Sequence, residues 1–154
     1  RVIAINWAVV AVALSLVDLR RAFRPVGGLQ PLRLLPAALV DDLVFYGVHR
    51  TMHGVPWLFR HVHAVHHAAA LKPWGSMVAH PVELLLQGGG ALLGAYAAGM
   101  NWATLTWWLA LRQAHGVWDH AGDPHHERHH RHLSGNYASM LVPLIDGAAG
   151  TKLI

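Results

Sequence analysis

Nine of the fourteen histidines in this chain fall at spacings that a helical scaffold turns into clusters. His49 and His53 are four apart, His63, His66 and His67 form an HxxHH set, His126, His129 and His130 form a second, and His120 stands alone before it. Residues three and four apart share a helix face, so each HxxHH set is expected to present its three ring nitrogens in one direction. Imidazole suits zinc, iron, copper or nickel rather than calcium or magnesium. Nine nitrogens exceed what one four-coordinate ion can use, and the economical reading is two metals sharing the set. A solvated histidine tract that collects stray metal would explain one HxxHH set. It explains poorly a repeat of the same spacing accompanied by an HxxxH.

Between the histidines the chain is apolar. Val2 to Val17 carries no charge, nor does Leu84 to Leu111, and the whole is 54% hydrophobic and 13% charged. A bilayer core of about 30 Å takes about 20 helical residues. The first run therefore predicts a transmembrane helix over 1–19, and the second a membrane hairpin over 80–116 with its break near Gly99-Met100-Asn101. Gly88, Gly89, Gly90 and Gly94 permit close helix packing in lipid, and Trp102, Trp107 and Trp108 suit an interfacial belt or simple packing. Arg20, Arg21, Arg24 and Arg33 follow the first span and Arg112 follows the hairpin. By the positive-inside rule these ends are cytoplasmic, which puts the clustered histidines on the cytoplasmic side, of a bacterial inner membrane or the endoplasmic reticulum.

The net charge is +4. With no basic run longer than two, it fits lipid headgroups better than nucleic acid. There is no cysteine, which excludes disulfides, thiolate zinc sites and thiol catalysis. No alternating strand pattern of any length is present. The fold expected is all-α, polytopic membrane helices carrying a histidine-rich helical cap, in one domain over 1–154. Arg20 to Pro36 reads as a surface loop, Ala37 to His53 as a helix broken by Pro56, and Trp57 to Ala70 as a second helix ended by Pro73-Trp74-Gly75. The first two histidine boxes thus occupy 37–70, and the third box and tail occupy 120–151.

Two metals held by neutral imidazoles carry about +4 and favour carboxylate neighbours, because a ligating histidine usually donates its other N–H to such a group. Asp42, Glu83, Asp119 and Glu127 each lie close in sequence to a clustered histidine. Asp42 and Glu83 are the expected partners in that role. His115 and Asp119 are candidates for auxiliary ligation or support. His61, His125 and His132 are expected to be ordinary polar side chains.

The order HxxxH, HxxHH, HxxHH on such a chain resembles the fatty acid hydroxylase and sterol desaturase superfamily. Asp42-x3-Tyr46-x2-His49-Arg50-x2-His53 looks like its first box, and Pro56-Trp57-Leu58-Phe59-Arg60 leads into His63-x2-His66-His67 as the second. Pro73-Trp74-Gly75 and Ala79-His80-Pro81-x-Glu83 follow. Arg112, Val117-x2-His120-x-Gly122, His125-His126-x2-His129-His130 and Asn136-Tyr137-Ala138-Ser139 are most similar to the C-4 methylsterol oxidase branch, with Asp146 and Gly150-Thr151 resembling its closing elements. The chain departs from the pattern in the five residues between His120 and His126, in Gly47 where an aromatic is common, and in having one span before the first box. That last departure reads as N-terminal truncation or a pared-down member.

The resemblance implies a non-haem di-iron centre, with zinc a possible occupant of a purified sample. It implies O2-dependent oxidation of an unactivated lipid C–H bond, with electrons from a cytochrome b5-type or ferredoxin-type donor. The ligands it implies are His49, His53, His63, His66, His67, His120, His126, His129 and His130, with His80, at the family's HPxE position, and Asn136, in its tail motif, as candidates for auxiliary ligation or support. A sterol-like substrate is the first expectation. The alternatives are a fatty acyl or sphingolipid hydroxylase, a non-catalytic metal-binding relative, and an enzyme using the same boxes with zinc.

Overall fold

The computed structural model describes residues 2–15, 22–25, 27–69 and 71–153. Seven helices carry the architecture: α1 (Val2–Ser15), α2 (Leu34–Gly54), α3 (56–67), α4 (Pro81–Ala97), α5 (Trp102–Asp119), α6 (Pro124–His132) and α7 (Val142–Ala149), with 3₁₀ turns at Pro31–Arg33 and Pro73–Met77. No strand occurs among the described residues, only an isolated bridge between Arg24 and Asn101.

The boundaries follow local chemistry. α2 starts at Leu34, inside the expected loop, because Pro36 falls in the first turn, where its missing N–H has no helical partner to lose. In α3 the middle turn, Phe59–His63, is π-helical, with the Ala64 N–H reaching back to the Phe59 carbonyl. Such a turn is a common mark of functional sites. Asn101 caps α5 by accepting from the Thr104 N–H at 2.8 Å. Asp123 caps α6 by accepting from the His126 N–H at 2.8 Å, and Pro124 takes the first helical position.

The central seam is α2 against an antiparallel α4. A Cβ on Gly90 would stand 2.7 Å from Asp41 Oδ1, and one on Gly94 would strike the Ala37 carbonyl. Two of the four glycines expected to serve close packing therefore serve this intramolecular seam; Gly88 and Gly89 face open space. Ala37, Ala38, Ala91, Ala95, Leu105 and Trp108 form the core, and the Trp108 indole donates to the Ala91 carbonyl at 2.9 Å. Arg112 ties α5 to α2 through Asp41, 2.7 Å between Nε and Oδ2.

The segment expected as a membrane hairpin forms the two helices α4 and α5, separated at 98–101. No described helix is long and apolar enough to cross a membrane. The expected span over 1–19 is described to Ser15; residues 16–20, with Arg20, and also Arg21 lie outside the described residues.

The placement of the arginines corrects the sequence reading. Arg24 bridges to Asn101 and Arg33 donates to the Ala98 carbonyl, so both sit beside the α4–α5 turn. From there α2 climbs about 22 Å, at 1.5 Å per residue, before it reaches His49. These two charges are at the opposite end from the histidines, because the loop that carries them packs against the turn. Arg112 lies within α5 and is paired, rather than following the hairpin.

Candidate metal centre

The nine histidines gather in two groups, each with its donor atoms within 4.8 Å of one another: His49, His53, His63, His67 and His129, and His66, His120, His126 and His130. Each HxxHH set is divided between them. Its outer pair, four residues apart, enters one group, and its middle histidine enters the other. The expectation of three nitrogens in one direction is corrected here: consecutive helical residues point about 100° apart, so His66 and His67 cannot face one ion. α3 gives two imidazoles to the first group and one to the second, and α6 does the reverse. α2 adds His49 and His53 to the first, and the end of α5 adds His120 to the second.

Within the groups the Nε2 atoms nearly touch. His63 Nε2 stands 3.1, 2.9 and 3.0 Å from those of His49, His53 and His67. In the second group the gaps are 3.3 Å between His66 and His120, 3.1 Å between His120 and His126, and 3.0 Å between His126 and His130. The five residues between His120 and His126 turn tightly through Gly122, at φ +127, into the Asp123 cap, which brings those two rings together.

Tautomers follow from the outer nitrogens. His49 Nδ1 donates to the Tyr137 carbonyl at 2.8 Å, and His129 Nδ1 to the Gly135 carbonyl at 2.7 Å. His66 Nδ1 donates to the Val78 carbonyl at 3.1 Å, and His120 Nδ1 to the Gly116 carbonyl at 2.9 Å. A carbonyl only accepts, so each of these Nδ1 atoms carries the proton and each Nε2 of the neutral ring presents a lone pair. The 3.1 Å contact of His49 with His63 and the 3.3 Å contact of His66 with His120 then set lone pair against lone pair. His63 Nδ1 lies 2.9 Å from Glu83 Oε1, whose carboxyl burial pushes up to about 7; in its ionised form Glu83 accepts from Nδ1 and leaves His63 Nε2 with a bare lone pair as well.

A shared proton could relieve such contacts, but burial opposes it. Burial pushes His63 and His66 down to about 4, His53 and His129 to about 3 and His130 to about 2. His49, His67, His120 and His126 are lowered by burial too, and in all but His63 and His120 neighbouring imidazoles add to the effect. The Nε2 of His129 is buried without any hydrogen-bond partner. Two sets of converging, proton-free imidazole nitrogens suit a transition-metal cation each.

The remaining candidates lie around the groups. Glu83 is 1% exposed and reaches His63 from α4. It is the one carboxyl group hydrogen-bonded to the ring of a grouped histidine among the described residues. Asp42 touches no histidine ring; its oxygens take the Ser139 and Leu141 N–H groups at 2.7 and 2.5 Å. His115 and Asp119 pair with each other at 3.1 Å, His80 caps α4 through the Val82 N–H, and Asn136 holds the His125 carbonyl and the Leu153 N–H. Four of the groups that fix imidazoles are main-chain carbonyls, which leave no mark in side-chain identity.

A helical protein that gathers nine imidazoles into two facing groups is defined by that arrangement as a candidate two-metal protein. The chain belongs to the fatty acid hydroxylase family, which it matches over residues 34–151. Among curated proteins it is 37% identical to a very-long-chain aldehyde decarbonylase of Oryza sativa subsp. indica and 36% identical to methylsterol monooxygenase 2-2 of Arabidopsis thaliana, in each case over 68% of this chain and 46% of the relative. It is 32% identical to a putative methylsterol monooxygenase of Dictyostelium discoideum, over 79% of this chain and 51% of the relative. The chain spans about half the length of the curated relatives it matches. No solved structure matches it.

Proposed function

We propose that this chain is the two-iron core of an O2-dependent oxidoreductase that hydroxylates or oxidises a C–H bond of a membrane lipid, a sterol-like lipid first. The observation that carries the reading is the pair of proton-free imidazole groups, each closed by tautomers that main-chain carbonyls fix. His49, His53, His63, His67 and His129 would hold one ion, and His66, His120, His126 and His130 the other. Bound iron would supply the redox chemistry needed to activate O2, which no side chain here can do. The side chains hold and orient: burial favours the neutral form of every ring in the two groups, and Glu83, whose carboxyl burial pushes up to about 7, is the one carboxyl group that meets one of those rings. Four donors leave the second ion more room for an added ligand than five leave the first.

The lipid assignment rests on the exposed surface. Leu32, Leu35, Leu39 and Leu43 on the approach to and outer face of α2, Leu85, Leu86, Leu93 and Tyr96 on α4, and Trp107, Leu109 and Leu111 on α5 are all exposed. An apolar surface of that extent suits immersion in lipid. The polar, histidine-bearing end carries Arg50, Arg60, Arg128 and Arg131, which favours the cytoplasmic side for it. Electrons would come from a protein donor of the cytochrome b5 or ferredoxin type.

The relatives named for a methylsterol and for a very-long-chain aldehyde set two substrate shapes against each other, ring and straight chain. The test is O2 consumption and product analysis for the iron-loaded protein in lipid nanodiscs with a reducing system. Turnover of a 4-methylsterol is expected. Turnover of fatty acyl lipids alone would move the assignment to the straight-chain class, and metal binding without O2 uptake on any lipid would contradict catalysis.

A further inference from the structure

We infer that the segment 135–141 is a strap that sets the five-imidazole group alone, with Asp42 and Asp146 as its positioning residues; this rests on the two-metal reading above. The strap has neither helix nor strand to define its path. Its carbonyls nevertheless fix two rings from distant helices: Gly135 receives His129 Nδ1 and Tyr137 receives His49 Nδ1, at 2.7 and 2.8 Å.

What holds those carbonyls in place is a pair of buried carboxylates. Asp146 of α7 takes the Tyr137 and Ala138 N–H groups at 2.9 and 2.8 Å, and Asp42 of α2 takes the Ser139 and Leu141 N–H groups at 2.7 and 2.5 Å. The Asn136 N–H is taken by the Thr151 carbonyl at 2.9 Å, and the Thr151 hydroxyl donates to Asp146 Oδ1 at 2.6 Å. Asp146 and Asp42 are 0% and 1% exposed. An ionised carboxylate facing only donors makes strong, short hydrogen bonds, and an amide in its place would turn an N–H toward an N–H.

The effect is confined to one group. The outer nitrogens of His66 and His120 are held by Val78 and Gly116, which lie outside the strap; the strap's bonds beside the second group, from Ser139 Oγ to Asp119 Oδ2 and from Asn136 Nδ2 to the His125 carbonyl, are to no ring of that group. Asp42 and His49 are also two turns apart on one face of α2, so that helix supplies both a ring and the anchor of the strap that orients it. Loss of either carboxylate is therefore expected to loosen the path of the strap and with it the carbonyls that meet His49 and His129, while the carbonyls that hold His66 and His120 stay in place.

The experiment titrates the full chain in detergent with cobalt(II) alone, counts bound ions by elemental analysis after gel filtration, and follows helicity by circular dichroism. Wild type is expected to bind two. Asp146→Asn and Asp42→Asn are expected to keep their helicity and one ion at unchanged affinity, while the other weakens by about tenfold to a hundredfold, the range seen when a ligand's supporting partner is removed. Where an Asn variant fails to fold, Thr151→Val removes one support from Asp146 and is expected to weaken one ion selectively. Two ions at wild-type affinity in the variants, or equal weakening of both, would overturn the proposal while leaving the two-metal reading intact. A wild-type chain that binds no cobalt would overturn both.

Discussion

His66 and His67 are neighbours in the chain and belong to different groups, and the same is true of His129 and His130. The split makes each grouped histidine a test of one of the two proposed ions. Replacing His66 by Ala is expected to remove one of two metals and all activity. His132→Ala changes an exposed ring at the end of α6 that belongs to neither group and is expected to leave both near normal. Retained metal stoichiometry in the first variant, measured by elemental analysis, would show the assignment of His66 to be wrong.

The same rings set a pH dependence. Their folded values are depressed below the ordinary 6.5, to about 4 for His63 and His66 and about 3 for His53 and His129. Below pH 6.5 these histidines bind protons in the unfolded chain that they do not bind in the metal-free folded chain, so the stability they contribute is present above 6.5 and is lost as pH falls through about 4 to 3; Glu83, pushed up to about 7, opposes this as a single group. A thermal melt of metal-stripped protein is expected to shift downward from pH 7 to pH 5. A melt unchanged over that range would mean that the rings are not buried as described.

At the scale of elements, α2 and α4 approach as closely as they do because two positions lack a side chain. Gly94→Ala is expected to destabilise by about 1–3 kcal/mol, the usual cost of overpacking, because its new methyl meets the Ala37 main chain. Gly88→Ala, with open space at the same helix, is expected to be neutral or to gain up to about 1 kcal/mol from helix propensity. Equal chemical denaturation midpoints for the two variants would contradict the seam.

The helices were legible because Pro, Gly and Asp punctuate them and apolar runs fill them. The histidine boxes were legible because their spacing is local. The partition of each box was not, since it depends on how α3 and α6 cross, and neither were the carbonyls of Val78, Gly116, Gly135 and Tyr137, which any residue type would supply. Asp42 is expected as a histidine partner because it lies close in sequence to a clustered histidine. It acts there through the strap, whose path depends on contacts about 100 residues away in sequence.

The whole molecule has two ends. One carries the α4–α5 turn with Arg24 and Arg33, and the other carries the histidines, with apolar side chains exposed along the helices between them. Counting arginines along the chain assigned Arg24 and Arg33 to the wrong end, because a loop's place depends on which turn it packs against. The two imidazole groups sit where α2, α3, α5 and α6 converge, each group drawing on three helices. Metal binding is therefore expected to couple to the fold as a whole.

The central claim is that the chain builds two metal sites from nine neutral imidazoles. The most direct measurement is elemental analysis of untagged protein purified in detergent from iron-supplemented cells. About two metal ions per chain are expected, with iron predominant, and metal-free or substantially sub-stoichiometric protein that cannot be reloaded to two would contradict the claim.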